Sequence, residues 1–404
     1  MLNLNHWEAL RNSIRRDRLH RLLWEMVEIY SPSGKEEDIQ LFLEETLQRA
    51  GLDVHREQLD ETRYNLRCVM GEGEPDFYMV GHVDTVADFE LHQMGPRQQG
   101  GILYGLGTSD MKAGCAAMVE TFLTLAENLR PEARPSVGLL LVVGEEEDGA
   151  GSLAFLAKRR PAWVVIGEPT GLQACFAHYG YVEVVLTTGG RRSHTSMPEH
   201  GHNAVESMLR VLLHLGRAPL LRRPDGGLVY SIREMNSSRA GFVVPDRCET
   251  LIDLHLPPTL DLDETIAALR RRLAASGRHV AGLELEIDIP WASRSYDLGT
   301  DHWPGHLLTT LYPQLNIPLA FTAFRSHSDG NLFFEKGSRP LLLGPGSLET
   351  AHTTDEQVPL EEVDLAAAVY LGLCLAAPGP RQPGRPPVES EGEPEDPEMQ
   401  QAID

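Results

Sequence analysis

The sequence has little cysteine, no long apolar run and a shortage of positive charge, and each shortage excludes something. Five cysteines, Cys68, Cys115, Cys175, Cys248 and Cys374, stand far apart with no Cys-x-x-Cys pair among 404 residues. That excludes a disulfide scaffold and a thiolate zinc knot and fits a reducing compartment, so a cytoplasmic location is expected. The longest apolar run, near 137–143, falls well short of the roughly 20 residues a membrane-spanning helix needs and reads as a buried strand. The first residues carry His6, Glu8 and Arg11 where a secretory signal would be apolar. Lysine and arginine number 36 against 59 acids, a formal charge of -23 that argues against a nucleic-acid surface. Neither a nucleic acid nor a membrane is expected as partner. The basic group Arg11, Arg15, Arg16 and Arg18 reads as a solvated helix face.

What is present is a chain of alternating strand and helix signals. One amphipathic helix is predicted over 7–30, stopped by Ser31-Pro-Ser-Gly34, with Ser33 and Glu36 forming a capping box for a helix through Gln48. Strands are predicted near 54–58, 65–70, 77–80, 136–143 and 162–166, with helices over 113–129 and 152–158 between the later ones. This alternation predicts an α/β catalytic domain, its mostly parallel or mixed sheet covered by helices. From 178 to 289 the order becomes β-α-β-β-α-β, that of an inserted ferredoxin-like α+β domain. The expected division is 1–177 with 290–377, the insertion 178–289, and a disordered Pro-rich acidic tail over 378–404.

Chemistry-bearing residues fall just past the predicted strand ends, where open α/β sheets place ligands. His82 stands two residues before Asp84; one ring nitrogen can bind a metal while the other donates to a carboxylate that fixes the tautomer. Asp110, at the front of a helix, could be an ordinary N-cap or a carboxylate shared by two metals, one oxygen to each. Glu145 and Glu146 follow a buried run, so one can ligate a cation while its neighbour takes a proton from water; Glu147 and Asp148 read as a solvated turn. Glu168 follows Val164-Val-Ile166, and His352 sits in a loop that packing does not explain. Imidazole with carboxylate suits two divalent ions, zinc first, with cobalt or manganese as other occupants.

Taken together the motifs resemble the M20 metallopeptidase/deacylase family. The matching stretches are Gly81-His-Val-Asp-Thr85, Gly107-Thr-Ser-Asp-Met-Lys-Ala-Gly114, Gly144-Glu-Glu-Glu, Gly167-Glu-Pro-Thr170, Ser193-His-Thr-Ser-Met-Pro198 with Gly201-His-Asn203, and Ala351-His-Thr353. The resemblance implies His82 and Glu168 on one metal, Glu146 and His352 on the other, Asp110 bridging, Asp84 behind His82 and Glu145 as general base. A Glu146/Glu147 register for the glutamate pair is the alternative. Gly144 stands where relatives usually have Asp. The resemblance also implies that His194 reaches the partner subunit's centre to hold the tetrahedral oxyanion, which favours a homodimer. The implied reaction is hydrolysis of small N-acyl amino acids, with a dipeptidase or exopeptidase as the close alternative and a noncatalytic binding protein as the distant one. Substrate contacts are least defined: Asn203, His255 and Arg325 are candidates, with Arg294 and Arg239 as further arginines. His255 stands where relatives often carry a carboxylate-gripping arginine.

Overall fold

The computed structural model describes residues 3–87, 95–221, 227–238 and 241–379. The tail from 380 onward and Arg239 lie outside the described residues. Among the described residues, nine strands form one mixed sheet, four form a second, and three short ones form a small third.

The centre of the large sheet positions everything else. Strands Val137–Val142, Phe77–His82, Trp163–Ile166 and Arg339–Leu342 lie side by side and parallel. Every residue of the first three is buried, as expected of parallel strands covered on both faces. Successive side chains of a strand point to opposite faces, and this strand shows it. Tyr78 packs edge-on against Phe155 on one side, while Met79 meets Cys374 on the other. The first face is covered by helices Ala150–Leu156 and Asp329–Glu335, the second by helix Leu360–Ala376, which packs on helix Ala113–Asn128. Burying each such large apolar side chain contributes about 1.5–3 kcal/mol.

The smaller sheet pairs strands Val229–Ser237, Arg247–Leu256, Gly180–Gly189 and Glu284–Ser293, in that spatial order and all antiparallel. Helices Ala204–Leu215 and Leu262–Ala274 pack on it around a hydrophobic cluster of its own. The β-α-β-β-α-β reading therefore matches the element order, with the last strand running past 289 to Ser293.

Local differences have identifiable causes. The helix expected over 7–30 is two, Leu4–Arg11 and Arg16–Glu28. Between them the Arg15 N–H donates to Glu120, and the Arg18 guanidinium grips the same buried carboxylate at 2.6 Å. Arg18 is thus not on a purely solvated face; it anchors one helix on another. The Ser33/Glu36 capping box does not form, because the Ser33 hydroxyl donates instead to Asp84 Oδ2 at 2.7 Å. Strand Ala174–His178 on the large sheet and helix Asp329–Glu335 were not anticipated.

Candidate metal centre

Four neighbouring strand ends deliver the candidate residues to one edge. His82 closes its strand, Glu145 and Glu146 follow the strand ending at Val142, Glu168 lies two residues past Ile166, and His352 lies in the loop after Leu342. Gly144 turns the chain into the glutamate pair with φ 72°, a left-handed backbone that strains any residue with a Cβ. That is a local reason for glycine at this position. His352 itself has φ 58°, an uncommon conformation for a non-glycine residue.

Asp110 is the hub. His82 Nε2 lies 3.1 Å from its Oδ1 and His352 Nε2 lies 3.4 Å from its Oδ2, so the carboxylate faces one imidazole with each oxygen. His352 Nε2 is also 3.1 Å from Glu146 Oε1. Glu145 Oε2 and Glu168 Oε1 each stand 3.9 Å from His82 Nε2. His82, Asp110 and Glu146 alone offer three ligand atoms within 4.8 Å of one another. Asp110 is not the N-cap of the following helix: that helix begins at Ala113 and Lys112 occupies its cap position.

The set is supported from behind. Asp84 Oδ1 accepts the Glu145 N–H and Asp84 Oδ2 the Glu146 N–H, at 3.2 and 3.1 Å. The main-chain oxygen of Asp84 lies 3.0 Å from His82 Nδ1, leaving Nε2 directed at the cluster. Glu356 was missed in the sequence. Its Oε2 accepts the N–H of Gly107 and its Oε1 those of Ser109 and Asp110, at 2.9, 2.8 and 3.0 Å. Burial pushes the Glu356 carboxyl up to about 7 despite these donors. A close approach fixes Glu168: a Cβ on Gly114 would come within 2.2 Å of the Gly167 carbonyl oxygen, so only glycine lets the helix start pack there.

The electrostatics fit divalent cations. Burial pushes the Glu145 and Glu168 carboxyls well above the ordinary carboxylate range, and burial also raises Glu146, partly offset by His352. Desolvation lowers His82, yet Asp110, Glu145, Asp84 and Glu168 together hold it well above its ordinary value. Hydrogen bonds to Asp110 and Glu146 raise His352 to about 11. Glu168 Oε1 is buried with no hydrogen-bond partner. An unpaired buried carboxylate is costly, and positive charge at the centre of this set removes that cost.

The remaining predicted residues are placed differently. His255 lines a cleft of about 660 Å³ together with Asp110, Glu145, Glu146, Glu168 and His352. Asn203 caps helix Ala204–Leu215 by accepting the N–H groups of Val205 and Glu206, and is not among the residues lining the cleft. Arg325 is exposed and also outside the lining. Arg294 pairs with Asp263 at 2.8 Å. His194 is exposed and engages Ser196 Oγ at 2.7 Å. Arg233, not singled out in the sequence, does line the cleft.

The family model described as peptidase family M20/M25/M40 matches residues 78–376. The chain belongs to this family. A probable carboxypeptidase of Aspergillus clavatus is 27% identical over 379 residues, covering 87% of each chain. An acetylornithine deacetylase of Proteus mirabilis is 28% identical, over 82% of this chain and 88% of its own. The crystal structure of a Staphylococcus aureus tripeptidase superposes with a TM-score of 0.76 at 21% identity, covering 90% of this chain and 99% of that one. The M20 resemblance and the α/β expectation therefore hold, and the chain is a hydrolase of this family.

Proposed function

We propose that the protein is a two-metal amidohydrolase that cleaves small N-acyl amino acids. The observation that carries this is Asp110, which turns one carboxylate oxygen to His82 and the other to His352. In this reading His82 and Glu168 would hold one cation and Glu146 and His352 the other, with Asp110 available to both. Zinc suits two imidazoles with carboxylates, with cobalt or manganese as alternatives. When bound, such ions polarise the scissile carbonyl and make water a stronger nucleophile.

The protein's own groups do the rest. Glu145, its carboxyl held well above the ordinary range by burial, takes a proton from the attacking water and returns it to the departing nitrogen. The products are a carboxylate and an amine. Asp84 fixes the main chain of both glutamates, so the base and its neighbour keep their spacing. His194, exposed and outside its own chain's cleft, serves as oxyanion donor to the cleft of a second subunit, which makes the working unit a homodimer. We assign residues 1–178 with 294–377 to the catalytic domain and 179–293 to the lid and dimerisation domain, the bounds moved from 177 and 289 to the ends of strands Ala174–His178 and Glu284–Ser293. A cytoplasmic site follows the five buried free thiols. Among the described residues no helix is long and apolar enough to cross a membrane.

The likeness to a probable carboxypeptidase favours a second reading, an exopeptidase or dipeptidase using the same centre. A panel of N-acetyl amino acids, N-succinyl amino acids and dipeptides, assayed after chelation and again with added zinc, tests both. Turnover restored by metal is expected, fastest with the N-acyl series. Faster dipeptide cleavage supports the second reading, and metal-independent turnover or none at all overturns both.

A further inference from the structure

The two larger sheets are joined by two short stretches of backbone. Strand Ala174–His178 ends on the large sheet and strand Gly180–Gly189 begins the smaller one, with Tyr179 between them. The return runs from Ser293, the last residue of strand Glu284–Ser293, through Arg294 and Ser295 to Tyr296, which pairs with His178. The crossings lie against each other: a Cβ on Gly180 would come within 2.7 Å of the Ser293 carbonyl oxygen and of the Ser295 nitrogen.

One side chain holds both. Asn331, fully buried on helix Asp329–Glu335, donates to the Tyr179 carbonyl oxygen at 3.0 Å and to the Arg294 carbonyl oxygen at 2.9 Å. A side-chain amide has two N–H donors, and here each crossing takes one. Its Oδ1 accepts the Ser328 N–H at 3.2 Å. The helix is itself anchored in the large domain, where Ser152 donates to Asp329 Oδ2 at 2.6 Å and His178 Nε2 lies 2.8 Å from Ser328 Oγ. At the far end of the helix Glu335 Oε1 accepts the Arg294 N–H at 3.0 Å. Both main-chain polar groups of Arg294 are thus held by one helix, while its side chain reaches the other way to Asp263 of the smaller domain at 2.8 Å.

The cleft is lined from both sides of this joint, by Tyr181, His255 and Trp291 on the smaller sheet and by Asp110, Glu145 and Glu168 of the large domain. A few connecting residues can absorb a rotation between two bodies, so any rotation here changes the width of the cleft. We infer that Asn331 is the pin of the joint: by tying both crossings to one helix it fixes the angle between the domains. It is a positioning residue and does not line the cleft. The angle is a property of the fold; its effect on turnover rests on the hydrolase reading above.

The test measures the distance between the domains in the zinc-loaded full chain. The five native cysteines are buried, so nitroxides go on cysteines introduced at two exposed positions, Glu132→Cys on the large domain and Arg270→Cys on helix Leu262–Ala274, and electron double resonance reads the distance between them. Asn331→Asp keeps the size and the Oδ1 acceptor and removes both N–H donors. Its distance distribution should broaden about twofold or split, with metal content unchanged. Gly180→Ala drives a Cβ into the second crossing and should shift the mean distance, which keeps the inference open to refutation where Asn331→Asp does not fold. The parent's distance and width in either variant overturn the inference. A lower melting temperature with an unchanged distribution does so too, because it confines Asn331 to satisfying two buried carbonyls. On the fastest substrate of the panel above, Asn331→Asp should change kcat and KM together. A panel with no turnover at all removes the hydrolase reading and leaves the distances to decide the hinge.

Discussion

Glu356 Oε1 accepts the main-chain N–H of Asp110 at 3.0 Å. A residue beyond the inserted sheet thus fixes the carboxylate that joins the two histidines.

Replacing Glu356 by Gln keeps the size and removes one acceptor oxygen and the charge. Charge-assisted hydrogen bonds to a buried group contribute about 1.5–3 kcal/mol, and losing support behind a metal ligand typically costs about 10–100-fold in affinity or activity. Glu356→Gln should lower the melting temperature by several degrees and weaken metal binding within that range, read by thermal denaturation and metal titration. Unchanged metal affinity would remove Glu356 from the support of the site.

Glu145→Gln separates the base from the ligands. The amide cannot accept the proton of the attacking water, while His82, Asp110, Glu146, Glu168 and His352 are untouched. Metal content measured by elemental analysis should stay the same, and kcat should fall by about 10²-fold or more. A variant that keeps full turnover moves the base to the Glu146/Glu147 register.

Metal binding should exchange protons for cations. Without a cation, contacts with Asp110 and Glu146 hold the His352 pKa at about 11, and the surrounding acids hold His82 well above its ordinary value. Protons held on these imidazoles must be lost before they can ligate. Affinity should rise with pH, with about one proton or more released per cation. Calorimetry in buffers of different ionisation enthalpy reads this directly; a pH-independent affinity contradicts it.

Acid sensitivity has a separate source in His178. It is fully buried, with Nδ1 2.6 Å from the Tyr179 carbonyl oxygen and Nε2 2.8 Å from Ser328 Oγ. Burial lowers its pKa from 6.5 to about 3. Between these values the unfolded chain binds a proton that the folded one refuses, so its contribution is complete above pH 6.5 and is lost as pH falls toward 3. Denaturant melts at pH 4–6 should show His178→Gln with a shallower pH slope, by up to ~1.4 kcal/mol per pH unit. Equal slopes would place the acid lability elsewhere.

Part of the candidate centre is readable in the sequence because His82, Glu145, Glu146 and Glu168 end or follow apolar runs that form buried strands, and parallel strand ends share one edge; Asp110 and His352 come from loops. Glu356 is not readable: in Thr353-Thr-Asp-Glu356 it resembles any solvated acid, and only the returning chain shows its three N–H donors. Arg233 is hidden for a different reason: the pairing register shifts between Ile232 and Glu234, and such a bulge changes which face a residue takes and leaves no mark in composition. Asn203 did carry a local signal, because Asn before a helical run is a preferred cap, and its side chain is used in that way. The break in the first helix depends on Glu120, a hundred residues away, which no local window contains.

The tie from Glu356 to the loop of Asp110 also has a meaning for biosynthesis. During translation the segment 107–110 leaves the ribosome long before its carboxylate clasp exists, and the whole inserted sheet is made in between. The two cations proposed above would have no complete site until nearly the last strand has emerged, so a nascent chain ending before His352 should bind metal at the centre far more weakly than the full chain.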